Sequence, residues 1–236
     1  MSRGHDTIRK RIDFFAGAEA ALPVTITDAD SWSSLANNAL LLTVPTDTGQ
    51  QARITTLPQA IPKADLLAFE ALVKISAIDE DSDIRIGVVS ADNADPDVIA
   101  ESAFFKIAGK AGGSNAHDLF IETDDGTTDN NEVATNKSAQ FGVWTRYRID
   151  FANGTQSISP PGKSKGGFGS VRFSCERESA GNGFMEHIMP AEAGKHMDMD
   201  ASSGPFSPFI QVRNTGALAA GFTFELREIC LEYRNH

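Results

Sequence analysis

The sequence predicts an all-β chain folded as an antiparallel β-sandwich or jelly roll. About a dozen segments of alternating or short continuous apolar character recur from end to end, separated by turn-rich stretches. No amphipathic pattern with a three-to-four-residue period stands out, so helices are not expected. The chain has 236 residues, 41% of them hydrophobic, enough to bury one large core. Residues 1–20 read as an amino-terminal arm or first strand, and residues 21–236 as a single sandwich domain.

Residues 8–15 supply the first strand candidate. Residues 38–44 (NALLLTV) are short, apolar and bounded by Asn37-Asn38 and Pro45, which suits a core strand. Residues 51–57 follow as another. Residues 67–78 are long enough for a helix, yet Phe69, Ala71, Val73 and Ile75 alternate with Ala68, Glu70, Leu72 and Lys74, and that period of two predicts a strand. Ile84, Ile86 and Val88 alternate with Arg85 and Gly87. The acidic run at residues 79–83 between these two segments predicts a hairpin, with the two strands antiparallel. After a polar loop containing Asp92, Asn93, Asp95, Pro96 and Asp97, the strand pattern resumes around residues 104–107 and 119–121.

Residues 144–151 (WTRYRIDF) alternate most clearly, placing Tyr147, Ile149 and Phe151 on a buried face and Arg146, Arg148 and Asp150 on the other. Asn153-Gly154 predicts a turn, and the Pro-, Gly-, Ser- and Lys-rich residues 159–169 an exposed loop. Val171, Phe173 and Cys175 return to the sheet, followed by residues 209–212 and 222–233. In the last segment the apolar phase changes between Phe222-Phe224-Leu226 and Ile229-Leu231-Tyr233, which predicts a bulge. Trp32, Phe14 and Phe15 are expected to pack one end of the sandwich.

Composition narrows the function. A formal net charge of −11 argues against a general basic surface for nucleic acid. No run of about 18 apolar residues is present to span a bilayer, and charged residues rather than an apolar leader follow Met1. The expectation is a soluble protein made in the cytoplasm. Cys175 and Cys230 are too few for a disulfide framework and read as buried thiols, bridged only if their strands are neighbours. Basic residues Arg3, Arg9, Lys10 and Arg11 gather near the amino terminus, a candidate partner-binding arm for an acidic protein surface.

Oxygen-bearing side chains Asp124, Asp125, Asp129 and Glu132, with Asn130, come from one stretch and form a candidate calcium site, because hard cations need several oxygen ligands. Asp79, Glu80, Asp81 and Asp83 form a second candidate. Neither has the spacing of a known calcium loop. Glu122 and Asp124 have the alternate spacing of glucanase carboxylates, but the third position is Gly126, so the constellation is incomplete. Residues 160–164 (PPGKS) lack the early glycine of a phosphate loop. His187, His196 and His236 have no recognised metal spacing, and no Gly-x-Ser-x-Gly elbow is present. No enzyme signature emerges.

Residues 144–154 (WTRYRIDFANG), residues 197–206 (MDMDASSGPF) and the Pro208-Phe209-Ile210-Gln211 that follows resemble concanavalin A-like jelly-roll domains. So does the carboxy-terminal strand at residues 222–233. Residues 162–189 depart from the pattern as a longer, Gly-Lys-rich insertion. Such domains occur in tailed-phage virion proteins and bacterial surface proteins. The resemblance implies the fold, and it motivates a non-enzymatic virion structural protein, a capsid decoration or fibre or spike-type subunit of a phage, made in the host cytoplasm. Its expected partners are capsid or other virion proteins and further copies of itself, without nucleic acid or membrane and without an obligate cofactor. The competing reading is a carbohydrate-binding lectin-like module that binds glycan, with calcium ordering its loops.

Overall fold

The computed structural model describes residues 6–14, 25–27, 33–36, 38–55, 60–113, 115–151, 171–177, 185–193 and 195–235. They form two antiparallel sheets. The first contains β1 (Asp6–Asp13), β3 (Ser33–Ala36), β4 (Ala39–Val44), β7 (Leu66–Ile75), β12 (Trp144–Phe151), β13 (Val171–Arg177), β14 (Met185–Ile188) and β16 (Phe222–Asn235), in the order β14-β13-β12-β7-β16-β4-β3, with β1 also on β16. The second contains β2 (Thr25–Thr27), β5 (Gln51–Thr55), β6 (Ile61–Pro62), β8 (Ser82–Val89), β9 (Glu101–Gly109), β10 (His117–Asp125), β11 (Asp129–Ala134) and β15 (Pro205–Asn214), in the order β11-β10-β9-β8-β15-β5-β2, with β6 on β15. No helix among the described residues is long and apolar enough to cross a membrane.

The core lies between the sheets and follows from the period of two. Leu40, Leu42, Phe69, Val73, Ile149 and Phe224 face inward from the first sheet, against Ile84, Ile86, Phe105, Ile107, Ile121 and Ile210 from the second. Phe105 meets Tyr147 and Phe173 edge-on, at ring-centroid distances of 4.9 and 5.0 Å. Such edge-to-face contacts add about 0.5–1.5 kcal/mol each beyond the buried area. β12 alternates as its sequence predicts, with Thr145, Tyr147, Ile149 and Phe151 buried. The phase change in β16 is a bulge, with the register against β7 shifting between Leu226 and Glu228.

The acidic run at residues 79–83 is not a hairpin. β7 is flanked by β12 and β16, and β8 by β9 and β15, so neither offers the other a free edge. The run instead carries the chain from one sheet to the other. Asp79 accepts the backbone N–H groups of Ala219 (2.6 Å) and Ala220 (3.4 Å), and Thr215 donates to the Asp81 carbonyl. These contacts tie the crossover to the β15–β16 turn.

Cys175 and Cys230 are buried thiols rather than a disulfide. Cys175 belongs to the core cluster, whereas the Cys230 sulfur accepts a hydrogen bond from Arg9 Nε (3.0 Å) on the outer face of the first sheet. β12 and β7 lie between their strands, a separation of about 14 Å, so no bridge can form. Phe14 is buried as expected, while Phe15, Trp32, the turn expected at Asn153-Gly154 and the loop expected at residues 159–169 lie outside the described residues.

Candidate functional site

The outer face of the second sheet carries a polar and aromatic array arranged by strand register. Glu122, Phe104, Gly87, Phe209 and Thr55 line up across β10, β9, β8, β15 and β5. The adjacent row runs Lys106, Arg85, Gln211 and Arg53. At Gly87 the missing side chain matters, because a Cβ there would lie 1.9 Å from the Ala103 carbonyl oxygen. Between Phe104 and Phe209 no side chain intervenes, and their rings meet with centroids 5.5 Å apart.

Residues 90–100, joining β8 to β9, form a strap across this face. Its Pro96–Val98 segment is a single 3₁₀ turn capped by the Asp95 side chain, which accepts from the Asp97 N–H. Ile99 packs with Val89, Phe104 and Phe209 in a small second cluster. Asp97 Oδ1 accepts from Arg85 Nη2 at 2.7 Å, Asp92 stands 3.4 Å from Arg53 Nε, and the Ala94 carbonyl accepts from Gln211 Nε2 at 2.8 Å.

Beneath the strap the Arg85 side chain is only 1% exposed, with Nε 3.8 Å from both Asp83 and Glu122. Lys106 Nζ lies 2.6 Å from Glu132 and 3.5 Å from Glu122. Burial raises the Glu122 carboxyl above its ordinary value, against the opposing pull of Arg85 and Lys106. For Asp97 burial works in the same direction, but the charge and hydrogen bond of Arg85 outweigh it and hold the carboxyl below its ordinary value.

A small cleft of about 20 Å³ opens at the margin of the strap, between Asp97 and Ile99 on one side and Ser102, Phe104, Glu122 and Asp124 on the other. Asp129 and Asn131 of β11 close its far wall. Asp124 forms no ion pair among the described residues, and its Oδ1 accepts only from Gly126 N–H. Its carboxyl is raised by burial and by the neighbouring charges of Asp129, Asp125 and Glu101.

The candidate calcium ligands divide between several tasks. Asp124 and Asp129 face each other in register at the cleft. Asp125 instead accepts from the N–H groups of Thr127 and Thr128 through one oxygen and from Ala201 N–H through the other. Glu132 bonds Lys106, and Asn130 donates to Thr123 Oγ1. In the second candidate, Asp79 caps the β15–β16 turn and Asp83 pairs with Arg213 at 2.7 Å. Among the described residues no group of three or more His, Cys, Asp or Glu side chains converges to hold a metal ion.

Of the basic run, Arg3 lies outside the described residues. Arg9 and Arg11 belong to β1 and lie on the outer face of the first sheet, where Arg9 bonds Glu70 at 2.7 Å and Arg11 bonds Glu228 at 2.9 Å. Lys10 shares the opposite, inward parity with the buried Ile12. This segment is therefore a paired strand. His187 shares a hydrogen bond with Ser174 Oγ (3.0 Å) on the same sheet, its imidazole pKa lowered by burial and by Arg172, and His236 lies outside the described residues. The resemblance words at residues 197–206 anchor the second sheet: Met197 and Met199 are buried, and Glu101 accepts from the N–H groups of Ser203 and Gly204.

Sequence reasoning found Glu122 and Asp124 as a same-face pair. It missed Arg85, Lys106 and Gln211, which alternation marks only as a polar face; a lone Arg inside an otherwise apolar run (IRIGVV) was the available signal.

No protein-family model and no curated protein sequence matches the chain. Solved structures are similar in fold. The acidic lectin of winged bean, in complex with methyl-α-D-galactose, superposes with a TM-score of 0.62 at 11% identity, covering 98% of this chain and 100% of the lectin. The carbohydrate recognition domain of Emp47p gives 0.60 at 11% identity, covering 96% and 95%. The Crh5 transglycosylase gives 0.57 at 13% identity, covering 96% and 85%. At these identities the likeness establishes the concanavalin A-like two-sheet sandwich.

Proposed function

We propose that the protein is a non-catalytic carbohydrate-binding module that contacts saccharide hydroxyls at the cleft between the strap and β11. The observation that carries this reading is the cleft itself: Asp124 without an ionic partner among the described residues, with Asp129 and Asn131 of the neighbouring strand lining the same opening. Carboxylate and amide groups exposed at a surface opening suit a sugar, whose hydroxyls need hydrogen-bond partners. The fold's likeness to lectins that span the same length supports this reading better than a virion structural role. Docking of the basic arm onto an acidic partner would require Arg9 and Arg11 to leave Glu70 and Glu228. Binding without hydrolysis is the reading because the strand offers Glu122 and Asp124 and then Gly126, which turns away at φ +81°.

The test is a glycan array probed with the purified chain, with calcium and with chelator, followed by titration of any hit against Asp124→Asn and Asn131→Ala. Loss of about tenfold or more in affinity in both variants supports the site. Absence of binding across neutral, amino and acidic glycans in either buffer overturns the reading, and release of reducing ends from a bound polysaccharide overturns its non-catalytic part.

A further inference from the structure

The strap meets the outer face of the second sheet through Asp97 on Arg85, Asp92 near Arg53, the Ala94 carbonyl on Gln211 and Ile99 on two phenylalanines, and the groups it covers are incompletely used. Arg85 is 1% exposed and, among the described residues, donates one hydrogen bond, from Nη2 to Asp97, while Nε and Nη1 find no hydrogen-bond partner there. The neighbouring Gln211 is fully buried; its amide donates to Gln51 and to the strap carbonyl of Ala94, while its Oε1 has no partner among the described residues. Buried donors and acceptors left in this state cost free energy, so the face favours a ligand that satisfies them. Phe104 and Phe209 provide an aromatic floor under Ile99.

We infer that this face is a ligand site for a carboxylate-bearing saccharide, and that the strap is its displaceable internal occupant, with Asp97 and Asp92 holding the positions of ligand carboxylates on Arg85 and Arg53. The inference deepens the carbohydrate reading and rests on it. A guanidinium reads a planar carboxylate best through two parallel N–H donors. Asp97 engages one, so a sugar carboxylate arriving from the adjoining cleft gains a bond as it replaces Asp97. A sugar hydroxyl takes over the Ala94 contact to the Gln211 amide and donates to the unused Oε1. The apolar face of the pyranose ring replaces Ile99 on the two phenylalanines. Strap contacts are exchanged for ligand contacts of the same kind, so the ligand shifts the strap between closed and open arrangements by its differential affinity.

Titration calorimetry with an oligogalacturonate, its neutral methyl ester and sodium acetate at equal carboxylate concentration, alongside hydrogen exchange of the amides in residues 91–99, tests this. The acid form is expected to bind and to speed exchange of those amides about tenfold, because the strap leaves the face. Asp97→Asn is expected to bind about fivefold more tightly because the internal competitor has lost its charge. Asp97 is 43% exposed, which favours folding of that variant, and Asp92→Asn provides a second. The inference is overturned if the methyl ester binds as well as the acid, if acetate alone opens the strap, or if bound oligogalacturonate slows strap exchange. Binding of neutral glycans at the Asp124 cleft with the strap unmoved by the acid form refutes this inference and leaves the carbohydrate reading standing. Failure of every saccharide to bind refutes both.

Discussion

Replacing Glu70 with Leu tests whether the charged outer face of the first sheet is structural. The Glu70 side chain is 8% exposed and accepts from Arg148 Nη1 at 2.5 Å and Arg9 Nη2 at 2.7 Å, with Arg146 Nη1 at 3.5 Å. Removing one partner of a fully buried pair costs about 3–5 kcal/mol, whereas exposed pairs are worth about 0.2–1 kcal/mol. The three guanidinium groups are 22–54% exposed, and Arg148 keeps Asp150 and Glu232, so part of their charge relaxes into water and onto those partners. The expected loss is therefore about 2–3 kcal/mol, or about 4–12 °C in Tm for a chain of this size. Urea unfolding followed by circular dichroism, at low and at about 1 M salt, measures it, and the difference should shrink at high salt as screening shortens. A loss below about 0.5 kcal/mol at low salt would mean that the network is surface decoration and would refute the reasoning.

Four further outcomes follow from the same structure. Gly87→Ala should prevent stable folding, because its Cβ would meet the Ala103 backbone oxygen at 1.9 Å; a soluble variant with the parental urea midpoint would contradict the close approach. Phe105→Ala, at the centre of the Tyr147 and Phe173 contacts, should cost about 3–5 kcal/mol by urea unfolding. Both thiols should react with a thiol reagent only after denaturation, and reducing agent should leave Tm unchanged. Stability against pH should carry two opposite signatures. Asp97, depressed in the fold, contributes stability that is present above its ordinary carboxylate value and lost as pH falls through its lower folded value, so wild type and Asp97→Asn should converge on acidification. Glu122, raised in the fold, costs stability as pH climbs from its ordinary value through its folded one, so Glu122→Gln should gain relative to wild type over that rise.

The alternation in β12 and the phase change in β16 were legible because each side chain's face follows from strand geometry alone. The period of two over residues 67–75 marks β7 for the same reason, although the strand ends at Ile75 rather than reaching residue 78 and is more buried than a half-solvated strand predicts. Glu70 and Leu72, on its outward side, are covered as well. The hairpin expected at residues 79–83 failed because local turn chemistry does not report which strand edges are already taken. The candidate calcium residues divide for a related reason: adjacent side chains on β10 point to opposite faces, so Asp124 lines the cleft while Asp125 accepts from the Thr127, Thr128 and Ala201 N–H groups.

Sequence by itself determined the class of fold, the positions of most strands and the pair Glu122 and Asp124 on one face, since all of these follow from a local period of two. Tertiary structure alone decided that Arg85, Lys106, Gln211, Phe104 and Phe209 share a face, that the strap lies over them, and that Arg9 pairs with Glu70 and Arg11 with Glu228. Strand register joins residues more than 100 positions apart, such as Arg85 and Gln211, and no local pattern encodes that pairing.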